Sequence, residues 1–281
     1  MDADTTGTAV FVAVVAARFL LPLLIPAFPL PAIVACLVLD GIDKSIFELF
    51  TTADLEGYQS YDKALDVFYL SIAMLAVLRN WTSGPAAEVA RFLFYYRLVG
   101  VLLFELVEWR PILMIFPNTF EYFFIFYEVV RSRWVPERLG FRFYVVAAAA
   151  IWVFVKLPQE WWIHVAQLDV TDTLKETVFG VDASSSWGDA IANRPLALVG
   201  LLVAVAALAA VVIVVFRRKV APPAHPLVLA AGPLPLDIDE AHERARYVAA
   251  HWRVFDRHLF EKIALVALVT VIFGQMLPDV R

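Results

Sequence analysis

Long apolar stretches that carry isolated charges constrain this chain most. Arg18, Asp40, Asp43, Lys44, Glu48, Asp66, Arg97, Glu105, Glu121, Glu128 and Lys156 all lie inside runs otherwise apolar enough to span a bilayer. An ionised side chain at the centre of a membrane helix costs at least about 2.5–3.5 kcal/mol, so it turns toward a partner, the bundle interior or a water-filled cavity. Each of these residues is therefore a candidate functional group. Hydrophobic residues make up 61% of the chain, above the roughly 45–50% of a soluble domain. The expected fold is all-α, a polytopic integral membrane helical bundle.

Apolar runs bounded by charge or proline predict about eight transmembrane helices, near 8–26, 30–49, 63–79, 90–108, 111–130, 142–158, 195–216 and 259–277. Each is close to the ~20 residues that cross ~30 Å of hydrocarbon. The runs are continuous rather than alternating, which favours helices over a barrel. Residues 1–158 are expected to form a six-helix membrane bundle with a polar interior. Residues 159–194 read as an extracytoplasmic loop in which Gln159–Val178, with Trp161 and Trp162, suits an interfacial helix. Residues 195–281 then supply two accessory helices joined by a cytoplasmic loop, 217–258.

Basic residues concentrate in alternate loops, at Arg79 and Arg91, at Arg131, Arg133, Arg138 and Arg142, and at Arg217, Arg218 and Lys219. The positive-inside rule makes those loops cytoplasmic and both termini extracytoplasmic. Met1–Thr6 holds two aspartates and no base, unlike the n-region of a cleavable signal, so the first span is expected to stay in the mature protein. Arginine outnumbers lysine and Ala, Val, Leu and Pro abound, a composition typical of GC-rich bacterial genomes. The plasma membrane of a bacterium is the expected location.

Helical rise then ranks the charges by depth. Arg18 and Asp40 each fall about 15 Å into their spans, and the short Pro26–Pro29 connection makes those helices neighbours. An Arg18–Asp40 ion pair follows. Asp40, Lys44 and Glu48 recur at i, i+4, i+8 as a ladder on one face, with Asp43 one residue off it. Asp62 and Asp66 repeat the spacing on the next span, with Tyr69 at the edge of that face. Glu105 and Lys156 lie at similar depth, so the first six spans converge on an outward-opening pocket rich in carboxylates. Arg97 and Glu121, on spans joined by a short turn, form a second expected ion pair. Pro117-Asn118, just before Glu121, can break its helix and free carbonyls, a device found at transporter binding sites.

Other chemistry is absent from the sequence. Cys36 is the single cysteine and allows no intrachain disulfide. No HExxH, P-loop, dinucleotide fingerprint or GxSxG elbow occurs, so no cofactor and no catalytic zinc are expected. Asp43, Asp62 and Asp66 are the oxygen ligands that could hold a hard cation. A net charge of −5 without a long basic run argues against nucleic acid as a partner.

Three function classes fit these residues. In the first, Asp40, Asp43, Lys44, Glu48, Asp62, Asp66, Glu105 and Lys156 bind and transport a polar or cationic solute or protons. The second is an embedded enzyme acting on a lipid or lipid-linked substrate, with Asp43 and Asp66 as acid and base and Lys44 and Lys156 on an anionic head group. The third is a membrane scaffold or subunit whose charges lock helices together. Partners are the bilayer and a polar small molecule, ion or lipid head group.

Overall fold

The computed structural model describes residues 3–50, 58–107, 109, 111–162, 166, 170–219, 221–232, 234, 261 and 265. Among them the regular structure is helical, with no strand. The chain divides into two compact units, Met1–Leu157 with Ala224–Arg281, and Pro158–Pro223. Within the first unit, residues 224–232 pack against Ser132 and Arg133 and the turn near Ala27.

The first unit begins with α1 (Ala3–Leu20), which tightens into a 3-10 turn at Leu21–Leu24. Pro29 opens α2 (Pro29–Phe50), a position where a missing N–H costs nothing. Then come α3 (Tyr58–Asn80) and α4 (Gly84–Val107). The fifth run is broken into α5 (Pro111–Ile115) and α6 (Thr119–Arg133), and α7 (Phe141–Ile151) follows. Helix α7 continues through a π-helical turn at Trp152–Lys156 into α8 (Leu157–Glu160). In that turn Leu157 N–H donates to Trp152 O, five residues back. The extra residue in the turn leaves Phe154 exposed and Lys156 buried.

Helix α3 is central. Leu65, Val67, Tyr69, Leu70, Ser71, Ala73, Met74, Ala76 and Val77 are buried, while Phe68, Ile72 and Leu75 form a partly buried stripe. The helix packs with Ile33 of α2, Phe94 of α4 and an aromatic stack on α6 formed by Phe120, Phe123, Phe124 and Tyr127. Gly100 of α4 permits close approach: a β-carbon there would lie 2.1 Å from Phe116 Cβ.

Among the described residues, two helices are both long and apolar enough to cross a membrane, Pro111–Arg133 and Phe141–Glu160. A third counts if Trp187–Asn193 and Pro195–Val211, bent by 95°, form one broken span. The expected number was about eight. Helices α2, α3 and α4 have 22, 23 and 24 residues, long enough to span, but each carries four charged side chains. The predicted span 259–277 lies outside the described residues except for Glu261 and Leu265.

The second unit is built on Phe179, which is buried and meets Trp187 edge to face at 5.9 Å. Its elements are α9 (Val170–Leu174), a π-helical turn at Lys175–Phe179, α10 (Trp187–Asn193) and α11 (Pro195–Lys219). Gly180 ends the turn at φ 67°, a left-handed conformation that glycine adopts without penalty. Ser186 caps α10 by accepting from Asp189 N–H. Described parts of 159–194 are thus short helices around a small core. Helix α11 exposes apolar side chains along its length, Leu196, Val199, Leu202 and Leu208 among them.

Candidate functional site

One guanidinium gathers carboxylates from two other helices. Arg18 of α1 donates through Nη1 to Asp43 Oδ2 at 2.5 Å, and through Nη2 to Asp40 Oδ1 at 2.5 Å and Asp66 Oδ1 at 3.0 Å. Asp40 and Asp43 are three residues apart on α2 and so share a face, which lets one fork reach both. The expected ladder therefore understated Asp43, the more buried of the two. Side chains of Arg18 and Asp43 are 5% and 4% exposed, those of Asp40 and Asp66 31% and 35%. The node is closed on its Nη1 side and open on its Nη2 side.

The two carboxylates assigned to acid and base chemistry, Asp43 and Asp66, thus sit on the same arginine in unlike surroundings. The side chains of Lys44, Glu48 and Asp62 lie outside the described residues. Glu105 is half-buried. Lys156 is buried with Nζ 5.0 Å from the centre of the Tyr122 ring, a cation–π distance. No group of three His, Cys, Asp or Glu among the described residues is arranged to hold a metal ion. Of the three carboxylates read as able to hold a hard cation, Asp43 and Asp66 contact Arg18, and the Asp62 side chain lies outside the described residues.

The Arg97–Glu121 ion pair expected from the sequence does not form. Pro117 has no N–H, and Asn118 starts a new helix by accepting from Glu121 N–H. The carbonyls of Ile115 and Phe116 consequently lose their helical donors. Helix α4 replaces them: Tyr96 Oη donates to Ile115 O at 2.9 Å and Arg97 Nη1 to Phe116 O at 3.0 Å. Arg97 is occupied by a free carbonyl created by the proline break. Glu121, 3% exposed, accepts instead from Tyr69 Oη at 2.5 Å and from Asn118 Nδ2 at 3.0 Å. Asn118 thus caps α6 through its Oδ1 while its Nδ2 donates to the Glu121 carboxylate.

Tyr69 follows Asp66 by three residues on α3, so a polar axis runs from the Arg18 node to Glu121. Arg97, Lys156 and Asp40 lie within electrostatic reach of Glu121. The one element of this axis that sequence reasoning left unassigned is the Tyr69–Glu121 bond. The Asn118-x-x-Glu121 capping signature was the available signal.

A second buried polar cluster ties the far end of α6. Trp81 Nε1 donates to Glu128 Oε1 at 2.8 Å, and its ring stacks on Tyr127 at 3.6 Å. Arg131 reaches Glu128 at 3.4 Å and donates to Ala230 O at 2.9 Å and Gly232 O at 3.2 Å. Val228 N–H donates to Ser132 O at 3.0 Å, Ala224 N–H to Arg133 O at 2.8 Å and Ala231 N–H to Ala27 O at 2.7 Å. Residues 224–232, read from sequence as part of a cytoplasmic loop, are a strap across the ends of α6 and the α1–α2 turn.

A cleft of about 580 Å³ lies elsewhere, between the Glu88–Val99 face of α4 and Phe116. None of the sequence-predicted pocket residues lines it. At its edge Arg91 is ion-paired with Glu261. No protein-family model, curated protein or solved structure matches this chain, so the site's geometry alone bears on its function.

Proposed function

We propose that the chain is a multi-pass bacterial plasma-membrane protein, with about eight membrane helices and both termini extracytoplasmic, that transports a polar or cationic solute or protons. The observation that carries this reading is the asymmetric Arg18 node: Asp43 closes one side of the guanidinium while Asp40 and Asp66, each about a third exposed, leave the other side open. A carboxylate-rich edge attracts cations, and an arginine with alternative carboxylate partners can exchange them between two states. Lys44, Glu48, Asp62, Glu105 and Lys156 would extend the binding surface around that edge.

The test is flux into proteoliposomes for protons, sodium, potassium and a panel of polar solutes. Uptake that Asp43→Asn and Arg18→Gln abolish when flux is normalised to folded, reconstituted protein supports transport. Absence of flux for every species tested overturns it.

A structural lock is the second reading, favoured by the direct 2.5 Å contact between buried Arg18 and Asp43. It predicts that the same substitutions lower abundance and stability together, with no separable loss of a transport activity. The lipid-enzyme reading would show itself as a lipid that accumulates on deletion and is turned over by the purified protein.

A further inference from the structure

Glu121 is a deeply buried carboxyl group whose hydrogen-bond partners are neutral. Tyr69 Oη and Asn118 Nδ2 donate to its two oxygens, while Arg97 is committed to Phe116 O. Among the described residues no cation is ion-paired with it. Phe120 and Phe124, both fully buried, flank it on its own helix. The ionisable groups that face it from other elements are Tyr69 on α3, Asp40 and Cys36 on α2, Arg97 on α4 and Lys156 on the π-helical turn. This environment differs from that of Asp43, which is fixed by a permanent cation.

The choice of partner matters chemically. An ionised carboxylate only accepts hydrogen bonds, whereas a protonated one must also donate. A tyrosine hydroxyl serves both states, donating to the carboxylate and accepting from the carboxylic acid; arginine or lysine would serve only the first. When Tyr69 accepts from protonated Glu121, its own O–H is freed for a second acceptor. Asp66, one helical turn away along α3 at the open edge of the Arg18 node, and Asp40 lie within electrostatic reach of Tyr69.

We propose that Glu121 is a proton-exchange site, fed through Tyr69 from the Asp40–Asp66 edge, and that the proton is therefore an ion this axis handles. Uptake is balanced as follows. A proton from water enters at Asp66 and crosses the single turn to Tyr69 through water. Tyr69 passes its hydroxyl proton to Glu121 Oε1 as it receives the incoming one. Tyr69 ends unchanged, Glu121 ends neutral, and release reverses the steps. This inference deepens the transport reading and rests on it for its biological purpose, though not for its test.

The test is pH-difference infrared spectroscopy on the full chain in lipid nanodiscs, across about pH 3 to 9, a range that brackets the ordinary carboxyl values. A protonated-carboxyl stretch that appears on acidification, is lost in Glu121→Gln and changes frequency in Tyr69→Phe is the expected result. A difference spectrum identical in wild type and Glu121→Gln overturns the proposal. If Glu121→Gln does not fold, Tyr69→Phe decides: a carboxyl band unmoved by loss of the hydroxyl overturns it, and a shifted band supports it. Loss of the band in Glu121→Gln without flux of any species would uphold proton exchange and remove transport. Solute flux with a band that survives Glu121→Gln would do the reverse.

Discussion

Replacing Arg18 by glutamine tests whether the node is a coupled unit. Asp40 Oδ1 and Asp66 Oδ1 both lie on Nη2, at 2.5 and 3.0 Å. Without the guanidinium they can be no more than about 5.5 Å apart, and at an effective dielectric of about 20 two such charges repel by about 3 kcal/mol. That agrees with the about 3–5 kcal/mol typical of removing one partner from a buried pair. Asp43→Asn should cost less, about 1–3 kcal/mol, because Arg18 keeps two carboxylates. If Arg18 and Asp43 act on each other, the double variant will be more stable than the sum of single costs predicts, by at least about 1 kcal/mol. Equilibrium unfolding in mixed micelles, followed by tryptophan fluorescence, measures all four proteins. A coupling energy below about 0.5 kcal/mol would refute the argument, since independent sites add within that margin.

Three further outcomes are expected. Gly100→Ala drives a methyl group into Phe116 and should destabilise by about 1–3 kcal/mol, with much of the loss recovered when Phe116→Ala is added; equal costs with and without Phe116 would contradict the close approach. Trp81→Phe removes the indole donor to Glu128 while keeping an aromatic ring over Tyr127, and should cost about 1.5–3 kcal/mol in the same unfolding assay. Arg131→Met should release the strap, raising hydrogen exchange or proteolytic cleavage within 224–232 by roughly ten- to hundredfold, as the loss of two charge-assisted bonds implies; unchanged protection there would show that the strap is held by other contacts.

Helix positions were largely legible along the chain, because the signals are local. Pro29, Pro111 and Pro195 each open a helix near a predicted span start, and the Pro117-Asn118 break appears where proline removes an N–H. The proximity of Arg18 and Asp40 was legible for a similar reason, since a short connection forces their helices together. Less could be read where the outcome depended on rotation. Asp43 looked peripheral to an i, i+4 ladder, yet it is the best-buried carboxylate of the node, because Arg18 approaches between the 40 and 43 positions. Arg97 looked destined for Glu121, but the carbonyl freed at Phe116 was the nearer acceptor. The stretch after Ala224 is rich in proline and small residues, and nothing local marks it as a strap, because its partners are main-chain carbonyls at the end of α6 and in the turn before α2.

By itself the sequence determined that this chain is helical, strongly apolar and obliged to shelter a set of charges. Those are properties of one residue and its near neighbours: the cost of a charge in an apolar setting and the missing donor at a proline. Only the tertiary structure decided which charges meet, that Tyr69 rather than Arg97 satisfies Glu121, and that Arg131 anchors the strap. Such pairings depend on how each helix is rotated, and at about 100° per residue a shift of one position exchanges a buried partner for an exposed one.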